Sequence, residues 1–199
     1  MGSLKVRLLY RNWLKPGVFA ACLLPLAILI WKTFNDQLGA NPIEAITHHT
    51  GEWALRFLLL TLLMTPLKRF SGWLWPVRLR RMLGLYTFFY ASLHLATYLW
   101  LDQFFLWDEI WLDIIDRPFI TVGMLAYLLL LPLALTSNRY MIRRLGKNWK
   151  RLHRLAYVIP ALGVLHFWWL VKADVLEPLV YGLLLAGLLL ARLRKRPAR

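Results

Sequence analysis

The sequence predicts an all-α integral membrane protein of six transmembrane helices, with the N and C termini in the cytoplasm. Three observations point there. The 199-residue chain is 59% hydrophobic, holds 11 Trp and has a mean hydropathy of +0.51, which is more apolar than a soluble domain of this length. Its apolar residues gather into runs suited to a bilayer core, which takes about 20 residues of helix. Its Lys and Arg, which give a net charge of +15, sit mostly between those runs. Membrane topology therefore accounts for the charge, and no nucleic-acid partner is expected.

The first span is expected over 17–34, after the basic residues Lys5, Arg7, Arg11 and Lys15. No small-residue cleavage site follows it, so it reads as a retained helix rather than a signal peptide. The second is expected over 51–67, with Arg56 near its start, and the third over 82–101. The fourth, 118–136, opens on Pro118, where a missing N–H costs little. The fifth, 152–171, contains Pro160 and is expected to kink there. The sixth is 176–193. The connections are short, so 1–199 reads as a single domain with the lipid bilayer as its solvent. Cys22 is the sole cysteine, which excludes an internal disulfide and a cysteine-based metal site.

Charge sets the orientation. With six spans, the N-terminus, the second-to-third and fourth-to-fifth loops and the C-terminus share one side. That side takes all of the 25 Lys and Arg except Lys32, Arg56, Arg117 and Lys172. The ten acids fall on or near the other side. The positive-inside rule makes the basic side cytoplasmic.

The five histidines carry the chemistry, because an ionisable or ligating group inside a span is costly. His94 lies 13 residues after Arg81 and His166 lies 12 after Arg154. At 1.5 Å per residue, these are depths of about 20 and about 18 Å from the cytoplasmic edge. Two imidazoles at one level on two helices suit a bis-histidine haem. Zinc normally takes three or four ligands, and no third histidine or carboxylate shares this depth. The surrounding "FFYASLHLATYLW" and "GVLHFWWL" are apolar and aromatic, with Ala91, Ala96 and Gly163 leaving room. The competing reading is a histidine pair hydrogen-bonded to neighbouring helices.

His153, in "WKRLHRL" at the cytoplasmic edge, reads either as a solvated histidine or as the ligand of a second haem. Thirteen helical steps put it about 140° away from His166 on a straight helix. The third-helix positions facing it are Arg80 and Arg81, neither a haem ligand. His48 and His49, in "ITHHTGEW" at the outer entrance to the second span, read as quinone-headgroup contacts, partner contacts or solvated residues. The basic "NRYMIRRLGKNWKRLHRL" could hold a phosphate such as that of FMN, or reflect topology alone. No P-loop or dinucleotide fingerprint is present. Arg78, Arg80 and Arg81 have the same two readings, with haem propionates as further anions. The acidic stretch Asp108 to Asp116, with Trp107 and Trp111, reads as a docking surface or as a solvated loop with Trp anchors. A non-redox transporter or scaffold is the alternative class, although no internal repeat is visible.

Several motifs together carry a resemblance. "RRMLGL", "ASLHLATYL", "DRPFITVGMLAYLLLLPLALTS", "LGKNWKRLHRLAYVIPALGVLHFWWLVK" and "NPIEAITHHTGEWALRFLLLTLLMTPL" are similar to the haem-binding membrane subunits of bacterial periplasmic methionine sulfoxide reductase systems. These belong to the ferric reductase-like transmembrane proteins, with the NADPH oxidase membrane domains as wider relatives. The resemblance runs from about Gly39 to Arg192. It implies haem b and FMN as cofactors, and a multi-pass location in the bacterial inner membrane. It also implies electrons drawn from membrane quinone. They would pass to an MsrP-like periplasmic molybdopterin reductase, paired with this chain as a heterodimer, for repair of oxidised envelope proteins. The family's histidines fall on His94, His153 and His166, and its outer second-span histidine on His48, with His49 additional. The second third-helix histidine of the oxidases is missing, as is a nicotinamide domain, so electrons are expected from another source. Sulfoxide chemistry is expected of the partner and not of this chain alone. A ferric or quinone reductase-type cytochrome b with another acceptor is the runner-up.

Overall fold

The structure is a computed structural model that describes residues 13–171 and 174–193. Among these residues the regular structure is all helical, without strands. In chain order the helices are α1 (Lys15–Phe34), α2 (Pro42–Ser71), α3 (Trp75–Ala96), α4 (Trp107–Asp116), α5 (Pro118–Leu135), α6 (Arg139–Leu145), α7 (Lys147–Leu152), α8 (Leu155–Leu170) and α9 (Leu176–Leu193). A π-helical stretch, Thr97–Asp102, continues α3.

Local sequence signals set the helix ends. The Asn41 side chain accepts from Glu44 N at 3.3 Å and Pro42 fills the first turn, so α2 begins at Pro42 and not at 51. It ends at Gly72, whose φ of 73° is the left-handed conformation that closes a helix. His48 and His49 are therefore inside α2, two turns from its start, and not at its entrance. Proline in the first turn likewise starts α3 at Trp75 rather than at 82, which puts Arg78, Arg80 and Arg81 on its opening turns. The acidic stretch read as a loop is helix α4. Its Ile110 is buried while Trp107, Trp111 and Ile115 are exposed, a one-sided pattern too short to register as a bilayer run. The basic loop folds into α6 and α7, with Asn138 capping Met141 N at 2.8 Å.

The most extensive helix contacts are α2 along α3 and α5 along α8. These antiparallel pairs face each other through α3 and α5, and α9 packs on α8 and α2. Helix α1 lies on the outside of the first pair and is fastened by polar groups. The Tyr90 hydroxyl donates to Cys22 O at 2.9 Å and accepts from Leu26 N at 3.1 Å. It is thus inserted into the α1 ladder next to Pro25, whose ring already interrupts it. Tyr86 donates to Phe19 O at 3.0 Å, and His49 Nε2 donates to Pro25 O at 3.0 Å. Phe57, Tyr86 and Tyr90 pack beneath as one aromatic cluster.

Among the described residues, α1 and α5 are the two helices long and apolar enough to cross a membrane on length and composition alone. Helix α8, at 16 residues, is apolar but shorter, and α2 carries charges that the fold uses, such as Glu52 and Arg56. The outer surface is rich in large apolar side chains, among them Trp31, Phe19, Leu128 and Leu183. A surface of that kind suits hydrocarbon rather than water as its solvent.

Tyr90→Phe removes both hydroxyl bonds without changing packing volume. We expect a loss of about 1 kcal/mol, seen as a lower thermal midpoint of the detergent-solubilised protein, with Phe89→Leu near neutral. An unchanged midpoint in Tyr90→Phe would mean that apolar contact alone holds α1.

Candidate functional site

Helical spacing aims two histidines at one place. On α3, Leu83, Thr87, Ala91 and His94 recur at three- and four-residue intervals, and on α8 Ile159, Gly163 and His166 do the same. Apart from the buried Leu83, these residues line a cavity of about 330 Å³ between α2, α3, α5 and α8. Leu58, Thr87, Leu130 and Ile159 line its inner end, and Tyr98, Asp102, Arg117 and His48 its outer end. Below the inner end, Leu58, Leu130, Leu133 and Ile159 form a packed apolar cluster.

The His94 and His166 rings are 6.1 Å apart between centroids and inclined at 80°. His94 Nδ1 lies 2.9 Å from Thr47 O and His166 Nδ1 lies 2.6 Å from Phe119 O. A carbonyl only accepts, so each Nδ1 carries the proton. Each Nε2 of the neutral ring is left with its lone pair, which is the arrangement of a metal-ligating histidine fixed by its other nitrogen. Two imidazoles ligating one metal atom from opposite sides have ring centres about 6 Å apart, given N–metal bonds of about 2 Å. Among the described residues no group of three or more His, Cys, Asp or Glu gathers as a metal site. The pair therefore suits a metal whose remaining ligands come from a macrocycle, and the apolar cavity around it suits that macrocycle.

The outer end of the cavity is polar. Arg117 pairs with Asp113 at 3.2 Å, and Asp113 also accepts from Gln103 Nε2 at 2.9 Å. On the α2 side Arg56 pairs with Glu52 at 2.6 Å, donates to Tyr181 OH at 2.8 Å and lies over the Trp53 ring. These contacts hold Arg56, which the sequence puts near the start of the second span.

His153 lies elsewhere, between α7 and α8 and outside the lining of this cavity. Its ring stacks on Trp149 with centroids 3.9 Å apart, and its Nε2 is 3.2 Å from Thr136 Oγ1. The Thr136 hydroxyl donates to Pro132 O at 2.6 Å, so Nε2–H of His153 is the donor to it. Arg80 is half-buried and near enough for its charge to act on His153, while Arg81 is exposed. His48 lines the outer end, 4.0 Å from Glu44, whereas His49 is one of the residues that fasten α1.

Sequence reading missed Gly51 and Gly123, which lie directly against the two imidazoles. The available signal was glycine in a helix interior, which is unfavourable unless something needs the space.

Residues 50–164 match the family described as "Ferric reductase like transmembrane component". That segment includes His94 and His153 and ends two residues before His166. The chain is 55% identical over 182 residues to "Protein-methionine-sulfoxide reductase heme-binding subunit MsrQ" of Herminiimonas arsenicoxydans, covering 90% of this chain and 84% of that protein. It is 54% identical over 188 residues to the MsrQ of Xanthomonas campestris pv. campestris (strain B100), covering 92% and 86%. The chain belongs to the MsrQ branch of the ferric reductase-like transmembrane family. Within this MsrQ-family chain the matched segment contains both glycines at the site and most of the cavity wall.

The hydrogen bonds fix the tautomers. Nitrogen-15 chemical shifts of histidine-labelled, cofactor-free protein should report Nδ1–H for His94 and His166 and Nε2–H for His153. An Nε2–H form at either of the first two would remove its ligating lone pair and contradict the site as described.

Proposed function

We propose that the chain is the haem b electron-transfer subunit of a bacterial inner-membrane system. It would pass electrons from the quinone pool to a periplasmic molybdopterin methionine sulfoxide reductase of the MsrP kind. In this reading α1, α2, α3, α5, α8 and α9 are six spans of one domain over 1–199, with both termini cytoplasmic. The clustering of basic residues in the second-to-third and fourth-to-fifth connections supports that orientation. The names of the relatives, as haem-binding subunits of a protein-methionine-sulfoxide reductase, support both the cofactor and the existence of a partner.

One observation carries the proposal: two imidazoles 6.1 Å apart, each tied through Nδ1 to a backbone carbonyl. His94 and His166 would hold the iron. Bound there, haem supplies reversible one-electron transfer at a potential tuned by its ligands, hydrogen bonds and burial. The chain's own part is to orient the two rings, raise their basicity through the carbonyl bonds and exclude water with apolar walls. Tyr98, Asp102 and Arg117 give the cavity a polar outer end facing the periplasm in this orientation, where a partner would dock, with the acidic α4 beside it. The single cysteine, Cys22, is buried in α1, so the chain has no dithiol with which to reduce a sulfoxide itself. The family resemblance adds FMN, with Arg80 and Arg81 as candidates for its phosphate, and His153 as ligand to a second haem, a role that would require His153 Nε2 to give up its proton and its bond to Thr136.

Protein purified from haem-sufficient cells should show a reduced b-type spectrum, and His94→Ala and His166→Ala should each lose it. Because the rings are nearly perpendicular, the oxidised protein should give a strongly anisotropic low-spin ferric resonance. A colourless wild-type protein would overturn the electron-transfer reading. Failure to co-purify or exchange electrons with a molybdenum-containing periplasmic reductase would redirect it to another acceptor.

A further inference from the structure

Both histidines rest on the same local device. His94 of α3 bonds the Thr47 carbonyl of α2, and His166 of α8 bonds the Phe119 carbonyl of α5. Imidazole and carbonyl are 47 residues apart in each case. Four residues after each carbonyl comes a glycine, Gly51 and Gly123. In an α-helix that carbonyl is the acceptor of the glycine's own N–H, so its second lone pair is the one the imidazole takes. The ring then lies where the glycine's side chain would be. A Cβ on Gly51 would stand 3.0 Å from His94 Cε1 and Nδ1, and one on Gly123 would stand 2.7 Å from His166 Nδ1 and 2.8 Å from Cε1. The device occurs twice, 72 residues apart, as Thr47–Gly51–His94 and as Phe119–Gly123–His166. The rest of the two helix pairs shares no visible repeat.

Neither glycine has a backbone reason to be there. Both lie in helix interiors, without the positive φ seen at Gly39, Gly72 and Gly146. Alanine would favour the helix by about 1 kcal/mol at such positions. The Cβ contact is what opposes it. An imidazole cannot slide away from the added methyl without lengthening its bond to the carbonyl, because the same ring edge makes both contacts. Hydrogen bond and clearance together restrict where each ring can sit.

We propose that Gly51 and Gly123 are positioning residues for a bound haem, setting the placement and planes of the His94 and His166 imidazoles. This rests on the reading of those histidines as axial ligands. The closer clearance makes Gly123 the more sensitive of the two. Gly84, whose Cβ would meet only Thr61 at 3.8 Å, and Gly187, with nothing within 4 Å, lack this role.

The test is Gly51→Ala and Gly123→Ala in the full-length chain, with Gly84→Ala, Gly187→Ala and His166→Ala alongside. The readouts are haem per polypeptide, ferric resonance, midpoint potential and carbon monoxide binding to the reduced protein. A six-coordinate haem excludes carbon monoxide, whereas a displaced imidazole admits it. Gly123→Ala is expected to lose most of its haem, or to keep it with a shifted potential, an altered resonance and carbon monoxide binding. Gly51→Ala is expected to move the same way by less, and the control glycines to match wild type. Wild-type resonance and potential in both variants would overturn the inference while leaving the ligand reading intact; a wild-type protein without haem would instead remove the ligand reading. If both glycine variants fail to accumulate while His166→Ala accumulates, the glycines serve folding alone and the inference is wrong.

Discussion

The two bonds from histidine Nδ1 to a backbone carbonyl of the neighbouring helix organise the centre of this protein. Each does three things at once. It satisfies a polar nitrogen that would otherwise be left unpaired in an apolar interior, where that omission costs several kcal/mol. It fixes which nitrogen carries the proton, and so which one can ligate. It also joins α3 to α2 and α8 to α5 at one level. Other polar groups of the buried region are satisfied in the same way, apart from Thr65 Oγ1 and Arg192 Nε. Thr50, Thr61 and Thr87 return their hydroxyls to carbonyls of their own helices, and Arg56 is held by Glu52 and Tyr181. With these groups satisfied, the cavity around the imidazoles is left mostly apolar.

The shared level of the two imidazoles was legible in the sequence from their spacing to flanking basic residues. Counting residues from Arg81 and Arg154 gave His94 and His166 one depth, and the structure has their rings 6.1 Å apart. Element identity was readable for the long apolar runs. Element ends were less so where a helix continues through polar residues: "THHT" looked like an entrance, yet Asn41 and Pro42 start α2 well before it. The short amphipathic α4 escaped for the opposite reason, since ten residues with eight exposed or acidic positions resemble a loop when bilayer length is the criterion.

Other features depended on pairings between helices that one helix's periodicity cannot show. His49 and His48 are adjacent in sequence but point to different neighbours. One bonds Pro25 O in α1 and the other lines the cavity. Arg80 and Arg81 differ in the same way, half-buried against exposed. The doubled glycine device has no sequence-wide repeat to reveal it, because only a carbonyl, a glycine and a histidine are required and the carbonyl belongs to any residue type. Threonine fills that position once and phenylalanine the other time.

His94 and His166 come from different halves of the chain, one from the α2–α3 pair and one from α5–α8, so on the proposed reading haem binding bears on assembly. A ligand that binds only when both halves are in place adds its binding free energy to the union of those halves. An unloaded chain lacks that clamp, and the seam along the cavity is where it has least to hold it shut. On that reading, cofactor loading would double as proofreading of the fold. A cell that removes loosely joined membrane proteins would keep the pigmented copies and discard the blank ones, with no separate inspector.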